Sequence, residues 1–293
     1  RWQAFIKAYP KSARLASAHH HLGVCRLRQQ KFAEAAASFK MVLDKFPKFQ
    51  SRDSAQFNLG LALYNAAIKS EKPEDFKPAI AVFSQLPVKF PKSEQIATAL
   101  YYQAECMCLA GDLAGAVSVY QKIISGFSKS PLLPDVLFAL GATQQDLKKP
   151  AEAAATYQSC LQKFPKSPLV NDCRLRLGLS LFDQKKYAEA QKLFAQSATA
   201  ADFADADFAQ MKLAESFFEL KNLPQAIAQY ELLPKKFTKS QYAGAAFLAG
   251  GKCRYQAKQF PQALTGFTEA IKRKLPEAAE AAYWQGQIGR AHV

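Results

Sequence analysis

One spacing governs what this chain can become. An Ala followed four residues later by an aromatic recurs seven times: Ala35/Phe39, Ala79/Phe83, Ala116/Tyr120, Ala153/Tyr157, Ala190/Phe194, Ala226/Tyr230 and Ala263/Phe267. The steps between successive Ala are 44, 37, 37, 37, 36 and 37 residues. A small residue stands twelve before the Ala at Gly23, Ala104, Gly141, Gly178, Ala214 and Gly251, whereas Gly60 stands nineteen before Ala79. Residues four apart share one face of a helix. Apolar residues recur at three and four in stretches such as PLVNDCRLRLGLSLFDQ and YAEAQKLFAQSA, which is helical and not strand-like periodicity. Each repeat is therefore a helix A, a short turn and a helix B. A unit of that size cannot bury its own apolar face and must stack on its neighbours.

The joints between repeats carry a second signature. FPKS occurs at 90–93 and 164–167, with near-copies at 9–12, 46–49, 127–130 and 237–240. Pro lacks an N–H and stops an arriving helix. Ser is a good N-cap for the next helix, and Pro131 and Pro168, directly after Ser130 and Ser167, suit a first helical position. The Phe anchors the ending helix, and flanking lysines such as Lys163 and Lys166 suit its negative C-terminal end. The repeat at 200–204 has lost the tetrapeptide but keeps the spacing. The seven extra residues of the second repeat, Lys69 to Asp75, are polar and read as a longer A–B turn. Residues 1–9 fit the tail of a helix B with Trp2 in the aromatic slot, and 277–293 fit a helix A whose final GRAHV loses the apolar pattern. Both ends fall mid-repeat, and the chain starts at Arg1 without a signal-like segment, as if cut from a longer solenoid. The longest apolar runs fall short of the ~18 residues a membrane span needs.

Leu-Gly early in helix A, Ala-x-x-x-aromatic in helix B and Pro at the end resemble the tetratricopeptide repeat (TPR), and LGLSLFDQKKYAEAQKLF at 177–194 matches it closely. The resemblance covers the whole chain. It implies one all-α solenoid over 1–293, about seven full repeats with a fragment at each end, wound as a right-handed superhelix of antiparallel helix pairs. The usual Trp of helix A is missing from every full repeat, and the period is 37 where the family has 34. Long repeats with F-P-x-S turns are similar to those of bacterial envelope TPR proteins, such as the lipoprotein of the outer-membrane β-barrel assembly machinery and the Tol-Pal-associated coordinator. That similarity implies an envelope or periplasmic setting, with a cytoplasmic one as the alternative.

The sequence shows no catalytic signature. It contains no nucleotide loop, G-x-S-x-G elbow or kinase motif. The six Cys fall in the repeat register: Cys25, Cys106 and Cys253 all stand two after the small residue, where Ala62, Thr143, Ser180 and Ser216 stand elsewhere. They read as small packing residues and not as a disulfide or metal set, which tilts toward a reducing compartment. His19, His20 and His21 lie ~100° apart around a helix and do not converge on one metal. No cofactor or metal is expected, and no enzyme.

A TPR stack presents the free side of its helices A to partners. Counted from the small residue, positions +1, +5 and −6 face that side. They hold Glu105, Asp135, Asp146, Asp172, Asp183, Glu215 and Glu219, against Lys252 and Arg28, with Arg176 and Lys212 nearby. This patch is acidic within a chain of net charge +15. Rows −3 and +4 beside it are apolar, with Tyr64, Tyr101, Phe218 and Tyr255. They read either as an aromatic trough for a peptide or as contacts between successive helices. Many lysines gather at the FPKS turns, among them Lys48, Lys92, Lys129, Lys166, Lys239 and Lys274. These form either a basic edge for phosphate groups or simple helix-end compensation. The expected function is a non-catalytic scaffold holding a basic or apolar protein segment. The alternatives are a repeat that binds nucleic acid or anionic membrane through its lysine edge, or the scaffold region of a larger multidomain protein. Specific nucleic-acid binding is not expected, because the groove rows are apolar and acidic.

Overall fold

The computed structural model describes residues 1–273 and 276–291; Lys274, Leu275, His292 and Val293 lie outside the described residues. Among the described residues the protein is all-α, with sixteen α-helices, one 3₁₀ turn and no strand. It divides into two compact halves, Arg1–Lys148 and Lys149–Val293. The N-terminal half holds α1 (Trp2–Ala8), the pairs α2 (Leu15–Arg28)/α3 (Phe32–Lys45), α4 (Arg52–Ser70)/α5 (Lys77–Lys89) and α6 (Ile96–Leu109)/α7 (Leu113–Gly126), and α8 (Leu133–Asp146). The C-terminal half holds α9 (Pro150–Lys163), the pairs α10 (Val170–Asp183)/α11 (Tyr187–Ala198), α12 (Ala206–Glu219)/α13 (Leu223–Lys236) and α14 (Ala243–Gln256)/α15 (Phe260–Lys272), and α16 (Ala278–Ala291). In each half a helix packs chiefly on the next one in sequence.

The core is the register made solid. All seven helix-B Ala are fully buried, and the seven aromatics four residues on are buried as well, six of them completely and Tyr230 all but 4%. Each A–B turn closes through one residue of left-handed conformation: Gln30, Glu71, Gly111, Lys148, Lys185, Lys221 and Lys258. Only Gly111, at φ 87°, adopts it without steric cost. Asp112 and Asn222 cap the helices that follow, accepting the N–H of Gly115 at 2.9 Å and of Gln225 at 3.3 Å.

Three expectations need correction. The FPKS Ser is not an N-cap. The tetrapeptide is itself a turn, closed by the Ser N–H on the Phe carbonyl, as in Ser93 to Phe90 at 3.0 Å and Ser167 to Phe164 at 3.0 Å. The Ser hydroxyl accepts the N–H two residues on, at 3.1–3.3 Å, for Ser12, Ser93, Ser130, Ser167 and Ser240. That bond makes a further turn, so the helix begins three residues after the Ser, and Pro131 and Pro168 precede it instead of opening it. The seven-residue insertion is not a plain long turn. It extends α4 to Ser70 and winds Pro73–Phe76 into a 3₁₀ turn, whose Phe76 is buried. Residues 69–75 themselves all stay exposed. Trp2 occupies the slot register of α1 but is not buried; it stacks on His21 with centroids 5.1 Å apart.

Candidate functional site

The small residue of helix A lies against the helix-B aromatic, and the repeats solve that contact in different ways; the fourth combines Tyr157 with Gly141 and Ala142. In four repeats that aromatic is Phe and the facing residue is Gly. A Cβ at Gly23, Gly60, Gly178 or Gly251 would lie 2.7, 2.4, 2.7 and 2.5 Å from the rings of Phe39, Phe83, Phe194 and Phe267. The third and sixth repeats carry Tyr120 and Tyr230, opposite Ala104 and Ala214, and each has Glu at the next position, Glu105 and Glu215. The ring is buried but its hydroxyl needs a partner. Tyr120 donates to the Glu105 carboxylate. Burial, and then the bond to Glu105, push the Tyr120 phenol well above its ordinary range. Tyr230 is raised by burial and by the nearby charge of Glu215.

In the N-terminal half this geometry collects a polar cluster. Cys108 lies 3.3 Å from the Thr143 hydroxyl and 4.0 Å from that of Tyr120. Tyr101 is raised by burial and by the charges of Glu105 and Asp135, and Glu105 and Asp146 both act on Cys108. Tyr64, Tyr101, Glu105, Asp135 and Asp146 thus come together. Asp135 and Asp146 are exposed, whereas Glu105, Tyr64 and Tyr101 are half-buried. The tyrosines also pack ring on ring: Tyr64 meets Tyr102 at 5.4 Å and Phe76 at 6.2 Å, and Tyr101 meets Tyr120 at 6.2 Å. These side chains serve the packing between helices while keeping an edge in solvent.

The C-terminal half holds the other four acids. Asp183 is exposed and Asp172 half-buried. Burial raises Asp172; Asp205 adds to this and Arg176 opposes it. Glu215 is ion-paired with Lys212 at 2.7 Å. The Lys212 ammonium also lies 5.7 and 5.5 Å from the Phe182 and Phe208 ring centres, so it neutralises part of the patch. Glu219 stands beside the Tyr187 hydroxyl. Phe218 is half-buried under Lys221. Tyr255 packs edge-on against Trp284 at 5.2 Å and Phe260 at 5.4 Å. Lys212, placed near the acids by the sequence, pairs with the Glu three residues on; sequence reasoning missed Trp284.

The lysines Lys48, Lys92, Lys129, Lys166 and Lys239 are all exposed at their turns. The three His side chains go three ways: His19 toward Phe46, His20 toward Ser54 and Asn58, His21 against Trp2. Among the described residues, no group of three or more His, Cys, Asp or Glu side chains is placed to share a metal ion, and no helix is long and apolar enough to cross a membrane. Cys25 departs from its register mates. It is exposed, because only the short α1 precedes its helix, whereas Cys106 and Cys253 are buried.

Two models of the tetratricopeptide repeat match the chain, one over residues 17–48, 54–93, 98–130 and 135–167, the other over 175–240 and 248–292. The chain belongs to the tetratricopeptide repeat family. Solved structures similar to this TPR protein share its fold at low identity. The C-terminal part of a TPR repeat-containing protein from Cytophaga hutchinsonii is 12% identical, with TM-score 0.70, covering 89% of this chain and 98% of that one. RapI is 14% identical, with TM-score 0.68, over 94% and 82%. A TPR protein from Parabacteroides merdae is 16% identical, with TM-score 0.57, over 93% and 98%. A search of curated protein sequences returns no match.

Proposed function

We propose that this TPR protein is a protein-interaction scaffold without catalysis of its own, and that the free side of its helices A takes a basic or apolar segment of a partner. The observation that carries this reading is the charge reversal. In a chain of net charge +15, acids stand beside half-buried aromatic rings on the helices A of each half: exposed Asp135 near Tyr101, exposed Asp146 near Cys108, exposed Asp183 next to Phe182 and half-buried Glu219 next to Phe218. Amphipathic helices and extended segments bind such faces through apolar anchors, and clustered charge of one sign raises the encounter rate with the opposite sign.

The test compares two charge reversals. Asp146→Lys with Asp183→Lys should weaken capture of the partner from a cell extract while circular dichroism stays helical. Lys163→Glu with Lys166→Glu should change only the salt-sensitive part of binding. Exposure of the turn lysines supports a second reading, in which this edge meets nucleic acid or anionic lipid. Loss of the partner with the lysine pair, and full retention with the Asp pair, would put the working surface on that edge.

A further inference from the structure

Position seven after the helix-B Ala meets position five before the small residue of the next helix A. In four joints this contact is Val42 with Ala55, Leu86 with Ala99, Ile123 with Val136, and Leu233 with Ala246. The two members of each pair share one core cluster and are buried. The spacing is thirteen residues in each pair. At the joint between the fourth and fifth repeats both positions are Cys. Cys160 on α9 and Cys173 on α10 are buried, with their sulfurs 3.1 Å apart. These four joints are filled by aliphatic residues and Ala, so packing does not call for two thiols here.

We propose that Cys160 and Cys173 are a disulfide-forming pair that staples this joint when the chain meets a disulfide oxidant. A disulfide bond spans ~2.05 Å, so closure asks for about 1 Å of sulfur movement, which side-chain rotation supplies. The pair is intrahelical to neither partner. It bridges the end of α9 to the start of α10 across the Phe164-Pro165-Lys166-Ser167 turn. The chemistry balances with an oxidant of the class RSSR. One cysteine thiolate attacks RSSR, making a mixed disulfide and releasing RS⁻. The second thiolate displaces the other RS⁻, and the two protons lost by the cysteines end on two RSH. The contact with Cys160, and then burial, hold the Cys173 thiol far above its ordinary range. Oxidation of the folded chain is therefore slow and passes through local opening of the turn. Once formed, the bond closes a short loop and disfavours that opening.

The experiment uses the full chain and oxidised glutathione. Of the six thiols, two should disappear from a denaturing thiol count, and the intact mass should fall by two hydrogens. Trypsin cuts after Lys163 and Lys166, between the two cysteines, so their peptides should stay joined until dithiothreitol is added. The oxidised chain should melt about 5–10 °C higher, reversibly, as a short closed loop predicts. Cys160→Ser and Cys173→Ser should each abolish the cross-link and the shift. The peptide map on the unaltered chain decides even if a variant fails to fold. Six thiols retained after prolonged oxidation, a map joining other cysteines, or glutathione left on one cysteine would overturn the proposal.

Discussion

Two kinds of repeat stand side by side in this protein. In the first, second, fifth and seventh, a Phe ring lies directly on a Gly of helix A, and the next position is Val24, Leu61, Leu179 or Lys252. In the third and sixth a Tyr replaces the Phe, an Ala replaces the Gly, and a Glu follows. The first kind ends its interior at the ring. In the third repeat the Tyr120 hydroxyl donates to the Glu105 carboxylate, whereas in the sixth Tyr230 feels the charge of Glu215, which pairs with Lys212. A Glu directly after the small residue thus accompanies the Ala–Tyr combination; the fourth repeat, with Gly141 and Tyr157, has Ala142 there.

The largest effect that tests this difference is steric. Gly60→Ala places a Cβ 2.4 Å from the buried Phe83 ring, and should destabilise by about 1–3 kcal/mol in thermal or urea unfolding. Helix propensity alone would make the same change stabilising by about 1 kcal/mol, so the sign decides. A neutral or stabilised Gly60→Ala would break the comparison. Ala104→Gly, in the other kind of repeat, should cost only about 1 kcal/mol through helix propensity.

A smaller effect sharpens it. Tyr120→Phe removes the hydroxyl and should cost about 1 kcal/mol below the alkaline range. The unaltered phenol is raised by burial and by Glu105, and burial pushes the neighbouring Cys106 thiol up to about 12. A raised acid favours folding while it stays protonated. That stability is complete below the ordinary thiol value near 9 and is lost as pH climbs toward 12. Melting temperature should therefore fall over that window, and Cys106→Ala should flatten the fall. A profile unchanged by both variants would show that neither group titrates in the core.

Much of this was legible because the repeat supplies its own controls. The Ala and aromatic slots, the helix pairs and the places of the turns follow from seven registers agreeing. What stayed hidden involves the geometry of the turns and partners on different helices. Ser93 and Ser167 look like caps by composition, but their hydroxyls bond the N–H two residues on and delay the helix. The link of Tyr120 to Glu105 had a trace in the sequence, since Ala, Glu and Tyr occur together in the third and sixth repeats and the fourth, with Gly141, lacks the Glu, but reading helix A alone conceals it. Cys160 and Cys173 were likewise read helix by helix, and only stacking shows that their rows meet.

The smallest effect concerns the second repeat. Residues 69–75 are exposed although they wind into helix and 3₁₀ turn. Deleting them should change stability by less than about 1 kcal/mol, since loop length is thermodynamically cheap. A loss of several kcal/mol in urea unfolding would mean that the 3₁₀ turn is needed to seat Phe76.

The claim that matters most is the polarity of the helix-A side. Its most direct test is fluorescence anisotropy with two amphipathic helical peptides of equal length and apolar face, one bearing Lys and the other Glu. The account predicts that the Lys peptide binds more tightly despite the +15 net charge of the chain, and that Asp146→Lys with Asp183→Lys removes the preference. Tighter binding of the Glu peptide, lost with Lys163→Glu and Lys166→Glu, would contradict it.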